Sequence, residues 1–383
     1  MKTFSFINAD VVTPDGVIEG EAVVVEGERI VSVGGAVKGR EIDLTGSVLM
    51  PGLIDLHCDA IEKEVEPRPG VLMPLEFAIR QIDTRNLTAG ITTIFHCVSF
   101  AGEELGVRNP ELASEISRLV HVLDKSLSVR NRIHARYEVS HPEAMPLISD
   151  LMEDGVVELL SFMDHTPGQG QFKEEGAYKR FLMKTYHKSD EEAVALIEAK
   201  TRESDRNRHG MEKLARQAMG LDIRLISHDD DSPEKVREMY DLGVRISEFP
   251  VNAEAGIEAR RRDMAALVGS PNVVRGRSQS KGVSAREAVS KGAANCLCSD
   301  YIPATILPAI FQIADSLDWD LAEAVALATS NPADAAGLNE QGRIAEGMVA
   351  DLISVSTYRG APEVNGVWVG GKPKMSRVPH TWK

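Results

Sequence analysis

Runs of apolar residues alternate with helical segments through the middle of the chain. These runs predict eight strands, at residues 47–57, 91–98, 133–139, 156–165, 223–228, 244–250, 272–275 and 294–300. The spacers carry apolar residues at helical spacing, as in 111–125 and 190–220. Eight strands joined by long crossovers favour a closed, TIM-like (β/α)₈ barrel, and an open doubly wound sheet is the alternative.

Both ends of the chain have the pattern of short strands separated by glycine-containing turns. The β-branched or aromatic runs lie at residues 4–7, 22–25, 29–33, 351–355 and 366–371. We therefore predict a barrel domain over residues 51–340. Residues 1–50 and 341–383 are predicted to form one small composite β-sandwich domain.

Composition and charge exclude several classes of protein. The formal net charge is −15, which does not suit binding to nucleic acid or to an anionic membrane through the overall field. Four cysteines do not make a disulfide framework in a chain of 383 residues. The first residues lack an apolar signal segment. We expect a cytoplasmic protein that acts on a small molecule. A homodimer is the expected assembly for such a barrel.

Polar residues end most of the predicted strands, and several of them are good metal ligands. His57 and Asp59 end strand 1 and lie two residues apart, so both side chains can reach one ion. Glu138, His165 and His228 end strands 3, 4 and 5. Since strand ends converge on one face of a barrel, we predict a site for two divalent ions bridged by Glu138. Imidazole and carboxylate suit Zn²⁺ first, with Mn²⁺ or Fe²⁺ as alternatives.

Other polar residues in the pattern have a structural interpretation. A histidine at a strand end is more often a hydrogen-bonded core residue than a ligand, and we expect this of His96. No site role is expected for His121, His134, His187, His209 and His380. Cys58 is interpreted as a packing residue because nothing nearby indicates an activated thiol. Glu248 ends strand 6, where a structural role and a role in shaping the pocket are equally well supported.

Two basic segments stand out against the acidic composition. One contains Arg68, and the other contains Arg275, Arg277, Ser278 and Ser280. Guanidinium groups, hydroxyls and glycine-exposed amides are groups that hold phosphate, so both segments are predicted to bind an anionic substrate. Residues 172–188, in the long connection between strands 4 and 5, are a candidate lid.

Three segments of the sequence resemble the amidohydrolase superfamily. They are VLMPGLIDLH at residues 48–57, TAGITT at 88–93 and GRIAEGMVADL at 342–352. The resemblance covers nearly the whole chain and implies a barrel with a composite β-sandwich. The sequence differs from the usual His-x-His of strand 1, because it has His57-Cys58-Asp59. Glu138 stands where that superfamily often has a carboxylated lysine.

Further segments resemble the branch of that superfamily that acts in phosphonate catabolism by the carbon–phosphorus lyase pathway. They include EK and PRPG at residues 62–70, MDHTPGQGQF at 163–172, SHDD at 227–230, EFP at 248–250, PNVVRG at 271–276 and SDYIPA at 299–304. This resemblance implies that a ribose 5-triphosphate bearing a 1-methylphosphonate is hydrolysed and that pyrophosphate leaves. It also implies that Asp300 is both a metal ligand and the catalytic base, and that Lys63 joins the cations that hold substrate.

Two other functions stay open at this point. Hydrolysis of a C–N bond in a cyclic amide or an N-acyl amino acid needs few cations in the pocket, so Arg68 and Arg275 directed away from the metals would favour it. A non-catalytic scaffold relative would have lost ligands. This sequence keeps a competent residue at every expected position, which argues against the scaffold alternative.

Overall fold

The computed structural model describes residues 3–102, 108–164, 176, 179–180, 183, 189–276 and 283–377. In this part of the chain, no helix combines the length and the apolar character that crossing a membrane requires.

Short strands form before the barrel begins. They are β1 (Thr3–Ile7), β2 (Asp10–Thr13), β3 (Gly16–Ile18), β4 (Val23–Glu26), β5 (Arg29–Val33), β6 (Arg40–Asp43) and β7 (Val48–Pro51). Strands β5, β4, β1 and β6 form a four-stranded sheet in that order. The remaining strands β2, β3 and β7 join a second sheet that also contains the end of the chain.

Eight parallel strands of the described chain form one sheet in sequential order. They are β8 (Leu53–Cys58), β9 (Ile91–Phe100), β10 (Arg130–Glu138), β11 (Val157–Met163), β12 (Arg224–His228), β13 (Ile246–Glu248), β14 (Ala265–Gly269) and β15 (Cys296–Cys298). The first and last strands meet because Asp59 N donates to Asp300 O at 2.7 Å and Asp300 N donates to His57 O at 3.0 Å. The predicted TIM-like barrel is therefore confirmed.

Strands β16 (Leu352–Tyr358), β17 (Ala361–Val369) and β18 (Lys372–Ser376) complete the second sheet, in the order β18-β17-β16-β7-β2-β3. Segments from both ends of the chain thus share one sheet, as the sequence predicted. Phe6 and Trp368 pack edge-to-face in the core of this region, with ring centroids 4.7 Å apart. The residue boundaries of the two domains remain a prediction.

Helices pack around the barrel, both between its strands and after the last of them. They are α1 (Ala60–Val65), α2 (Leu75–Thr88), α3 (Pro110–Leu123), α4 (Met145–Glu153), α5 (Asp190–Arg206), α6 (Arg208–Gly220), α7 (Pro233–Asp241), α8 (Ala253–Arg261), α9 (Ser270–Arg275), α10 (Ala285–Ser290), α11 (Ile306–Leu317), α12 (Leu321–Ala326) and α13 (Ser330–Ala336). Several begin at side-chain caps, as where Asn109 accepts from Leu112 N and Ser232 accepts from Lys235 N.

One predicted strand is wrong and another is divided. Residues 272–275 form the end of helix α9, because Pro271 presets the backbone angle of a first helical turn. The barrel strand is the small apolar run before it, Ala265–Gly269, which is buried along its whole length. The first predicted strand, 47–57, is broken at Gly52. A side chain there would overlap Thr92, since a Cβ would lie 2.2 Å from Thr92 Oγ1.

A buried carboxylate ties the barrel to the terminal sheets. Asp351 accepts from Arg130 Nε at 3.1 Å and from Gly370 N at 2.6 Å. Because an alanine would leave the Arg130 charge and a buried amide unpaired, Asp351→Ala should lower the free energy of unfolding by about 3 kcal/mol. Urea unfolding measures this. Asp334→Ala, which removes an exposed partner of Arg343, should cost under about 1 kcal/mol. Equal effects of the two substitutions would contradict this role for Asp351.

Candidate metal centre

The centre of the site is a buried pair formed by His57 and Glu248. His57 comes from the end of β8 and Glu248 is the last residue of β13, and Nδ1 of His57 is hydrogen-bonded to Oε1 of Glu248. Burial opposes the charge on both groups, but their mutual attraction is stronger. It lowers the pKa of Glu248 well below its usual range and raises the pKa of His57.

His228, the last residue of β12, lies on the other side of Glu248. Its Nε2 is 3.9 Å from Glu248 Oε2 and accepts a hydrogen bond from Nη2 of Arg136 at 3.2 Å. Its Nδ1 lies 3.4 Å from Oδ1 of Asp229. Glu248 therefore lies between His57 and His228, two of the three histidines of the predicted metal site. Phe249 packs edge-to-face on both imidazoles, at centroid distances of 4.9 and 5.5 Å.

Two aspartates approach this pair from the joined ends of β8 and β15. Asp59 is the residue before helix α1, and its carboxylate lies 3.5 Å from Arg108, which also donates to Glu62 at 2.9 Å. Asp300 lies two residues after the end of β15. Burial raises the pKa of Asp300; the charge of His57 opposes this effect and that of Asp59 adds to it. A partly buried carboxylate of raised pKa beside imidazoles is suited to proton transfer.

The backbone is strained at the same strand ends. Asp229, Phe249 and Asp300 have φ angles of 56°, 54° and 59°, in the left-handed region that few residues other than glycine adopt. They follow β12, β13 and β15, respectively. Such strain persists only where the surrounding structure enforces it, and it is concentrated at functional sites. Three of the eight non-glycine residues with a positive φ in the described chain thus lie around this one centre.

His134 and Cys97 lie beside His57 in the barrel interior. Nδ1 of His134 is 3.0 Å from Leu56 O and 3.2 Å from Cys97 Sγ, and its ring packs edge-to-face on His57 at 5.8 Å. One ligand atom from each of His57, Cys97 and His134 falls within 4.8 Å of the others. Burial lowers the pKa of His134 to about 4, so the imidazole is neutral. The sequence analysis expected no site role for His134 and did not anticipate this contact.

A signal for His134 and Arg136 was present in the sequence. Along strand β10, His134, Arg136 and Glu138 are two residues apart and share one face. Glu138 is buried at the end of that strand and accepts from Ser140 Oγ at 3.1 Å. Glu138 was predicted to be a metal ligand, so its side chain was expected to face the barrel interior. The same two-residue periodicity directs His134 and Arg136 toward that interior.

The remaining predicted site residues are not brought to this centre by the described contacts. Lys63, Arg68 and Arg275 are exposed, and their role stays a prediction. His165, Arg277, Ser278 and Ser280 lie outside the described residues, as does most of segment 172–188. Cys58 is buried in the hydrophobic core, as expected of a packing residue.

The residues at this centre fit a divalent metal ion. Oε2 of Glu248 and Nε2 of His134 are both buried without a hydrogen-bond partner, which leaves lone pairs directed into the interior. Two or more imidazoles with carboxylates form a donor set for Zn²⁺ and similar ions. An imidazole whose other ring nitrogen is held by a carboxylate, as His57 is held by Glu248, is typical of a metal ligand.

His96 lies outside this centre and offers a test by pH. It is buried, and its Nε2 is 2.8 Å from Asn131 Oδ1, on the strand face opposite to Cys97. Burial lowers the pKa of His96, so the unfolded chain takes up a proton first as the pH falls below about 6.5. Native stability is therefore lost toward acid, by up to about 2 kcal/mol at pH 5.

His96→Gln should weaken this acid sensitivity. Urea unfolding of the native chain and of the variant at pH 8 and pH 5 measures it, and the native chain should lose more stability between the two. The same loss in both proteins would mean that His96 does not contribute.

The class is defined by a barrel whose C-terminal face carries residues that fit a divalent metal ion. The chain belongs to the amidohydrolase family, whose sequence model matches residues 48–376. Enzymes of this superfamily generally use a divalent metal ion.

Individual relatives are similar along nearly their whole length. The chain is 35% identical to α-D-ribose 1-methylphosphonate 5-triphosphate diphosphatase of Escherichia coli K12, over 95% of this chain and 98% of that protein. N-acetyl-D-glucosamine-6-phosphate deacetylase from Mycobacterium smegmatis shares the fold with a TM-score of 0.64 and 15% identity, over 97% and 99% of the two chains. Dihydropyrimidinase from Brevibacillus agri shares it with a TM-score of 0.61 and 13% identity, over 99% and 96%.

Proposed function

We propose that this enzyme hydrolyses α-D-ribose 1-methylphosphonate 5-triphosphate to the 5-phosphate and pyrophosphate. The observation that carries the proposal is the 35% identity to the Escherichia coli diphosphatase, which extends over 95% of the chain. An identity at this level over the full length is consistent with a shared substrate. The charges at the centre support phosphate chemistry independently.

His57, Asp59, Glu138, His165, His228 and Asp300 are the proposed ligands of two divalent ions, Zn²⁺ first and Mn²⁺ or Fe²⁺ as alternatives. Glu248 joins this set because its free carboxylate oxygen is buried between His57 and His228. Divalent ions here would supply Lewis acidity toward a phosphoryl oxygen. Asp300 takes the proton from the attacking water, for which its burial and raised pKa are suited.

Two arginines give the centre fixed positive charge. Arg136 is 6% exposed, and its buried Nε has no hydrogen-bond partner. Arg108 bridges Asp59 and Glu62 at the edge of the site. Guanidinium groups stabilise negative charge that develops on phosphoryl oxygens when water attacks phosphorus and pyrophosphate leaves.

Hydrolysis of a C–N bond is the second candidate. The exposure of Arg68 and Arg275 favours it, since a cyclic amide or N-acyl amino acid needs few cations in the pocket. Arg108 and Arg136 weigh against it, because they place cations at the centre that the sequence alone did not predict.

A substrate panel decides between the two. The enzyme is reconstituted with Zn²⁺ or Mn²⁺ and assayed against ribose 5-triphosphates, nucleoside triphosphates, cyclic amides and N-acyl amino acids. Turnover of the phosphonate-bearing ribose triphosphate with release of pyrophosphate is expected. Turnover confined to the C–N substrates would transfer the proposal to the second candidate.

A further inference from the structure

A cavity of about 280 Å³ opens beside His228. One wall comes from the ends of strands β11 and β12, with Asp164 and His228. The other comes from helices α6 and α7, with Arg208, Lys235 and Glu238. The cavity therefore joins a proposed metal ligand to two basic side chains on separate helices.

We propose that this cavity binds the two phosphates that leave as pyrophosphate, with Lys235 as the main cation and Arg208 as the second. The inference rests on the proposed function, which supplies a leaving diphosphate next to the metal centre. This binding site on helices α6 and α7 is separate from the phosphate-binding cations that the sequence analysis predicted in other segments.

Lys235 is the main cation because it forms no salt bridge among the described residues. The described residues form many salt bridges, and none of these involves Lys235, which is partly buried in the first turn of α7. A lysine ammonium held in a cavity is a compact point charge of the kind that binds phosphate.

Arg208 contributes less because it is partly neutralised. Its Nη2 donates to Glu238 Oε1 at 2.7 Å, and 67% of its side chain is exposed. The pair lies at the solvent side of the cavity, where the arginine can share its remaining donors with an anion. A diphosphate carries more than one negative charge, and Lys235 supplies the other cation for it.

The position and size of the cavity point to the leaving diphosphate. Its volume is at the lower end for small-molecule sites, which is small for a whole sugar triphosphate. His228 in its wall places any bound anion beside the metal centre. An anion held there would lie at one side of the proposed metal centre, where a departing diphosphate can be received.

Binding of inorganic pyrophosphate tests the site. Calorimetry uses the metal-loaded full chain with pyrophosphate, phosphate and methylphosphonate as separate probes. Lys235→Gln should weaken pyrophosphate binding about tenfold or more, and Lys235→Arg should restore most of it. Lys213→Gln is the matched control, an exposed lysine on α6 outside the cavity wall, and should bind pyrophosphate as the native chain does.

Two results would overturn the inference. The first is unchanged pyrophosphate binding by a Lys235→Gln variant that has the native melting temperature. This result would show that the cavity does not bind pyrophosphate. A selective loss of methylphosphonate binding assigns the cavity to the other end of the substrate.

Turnover of the ribose triphosphate by the same samples separates this inference from the proposed function. If the native chain cleaves no triphosphate but Lys235→Gln loses pyrophosphate binding, the diphosphatase proposal fails and the anion site stands. If the native chain releases pyrophosphate and Lys235→Gln shows a native KM and native product inhibition, the diphosphatase proposal stands and the inferred pyrophosphate site is wrong.

Discussion

Asp300→Asn should lower kcat by about a hundredfold to ten-thousandfold, while the variant keeps its metal and its melting temperature. The carboxylate is the proposed acceptor of the proton from water, and an amide of the same shape cannot accept it. Asparagine also tolerates the left-handed backbone at this position, where φ is 59°, so the fold should be unaffected. Steady-state kinetics together with metal analysis measures the effect.

A matched control exists for this substitution. Asp318 has the same backbone conformation, with φ of 52°, and lies exposed at the end of helix α11. Asp318→Asn should leave kcat unchanged. If Asp300→Asn keeps native activity with native metal content, the proton acceptor is another group. If it loses its metal, Asp300 acts chiefly as a ligand.

Glu248→Gln should weaken metal binding about tenfold to a hundredfold and reduce activity in parallel at limiting metal. Glu248 holds Nδ1 of His57 and presents a second, unpaired oxygen toward His228. A neutral amide removes the charge that keeps His57 oriented and removes a negative charge from the centre. Competition with a chromophoric chelator gives the affinity directly.

Glu254→Gln, an exposed substitution in helix α8, serves as the control and should bind metal normally. Excess metal should restore much of the activity of Glu248→Gln if the carboxylate acts through metal binding. Native metal affinity in Glu248→Gln would show that the carboxylate only supports packing around His57.

The barrel could be predicted from periodicity, but one strand could not be placed. Apolar runs with long helical spacers define a parallel barrel whatever their exact bounds. The segment after Gly269 contains adjacent valines that favour a strand, and Pro271 overrides them by starting a helix. Ala265–Gly269 is a short run of small apolar residues, and such a run has no distinctive period.

The metal centre could be predicted only in part, because some of its contacts join residues that are far apart in the sequence. His57 and His228 end predicted strands, so convergence at one barrel face brought them together in the structure as expected. Glu248 also ends a strand, but its hydrogen bond to His57 joins residues 191 positions apart, which no local pattern reports. The hydrogen bond between Arg136 and His228 depends on the register of the barrel strands, which no local sequence pattern reports either.

The diphosphatase proposal is tested most directly by identifying the products with ³¹P nuclear magnetic resonance. The metal-loaded enzyme is given α-D-ribose 1-methylphosphonate 5-triphosphate, and the phosphorus signals are followed to completion. One pyrophosphate is expected for each sugar 5-phosphate, with the methylphosphonate signal retained. Orthophosphate with a sugar 5-diphosphate, or an unchanged triphosphate, would contradict the proposal.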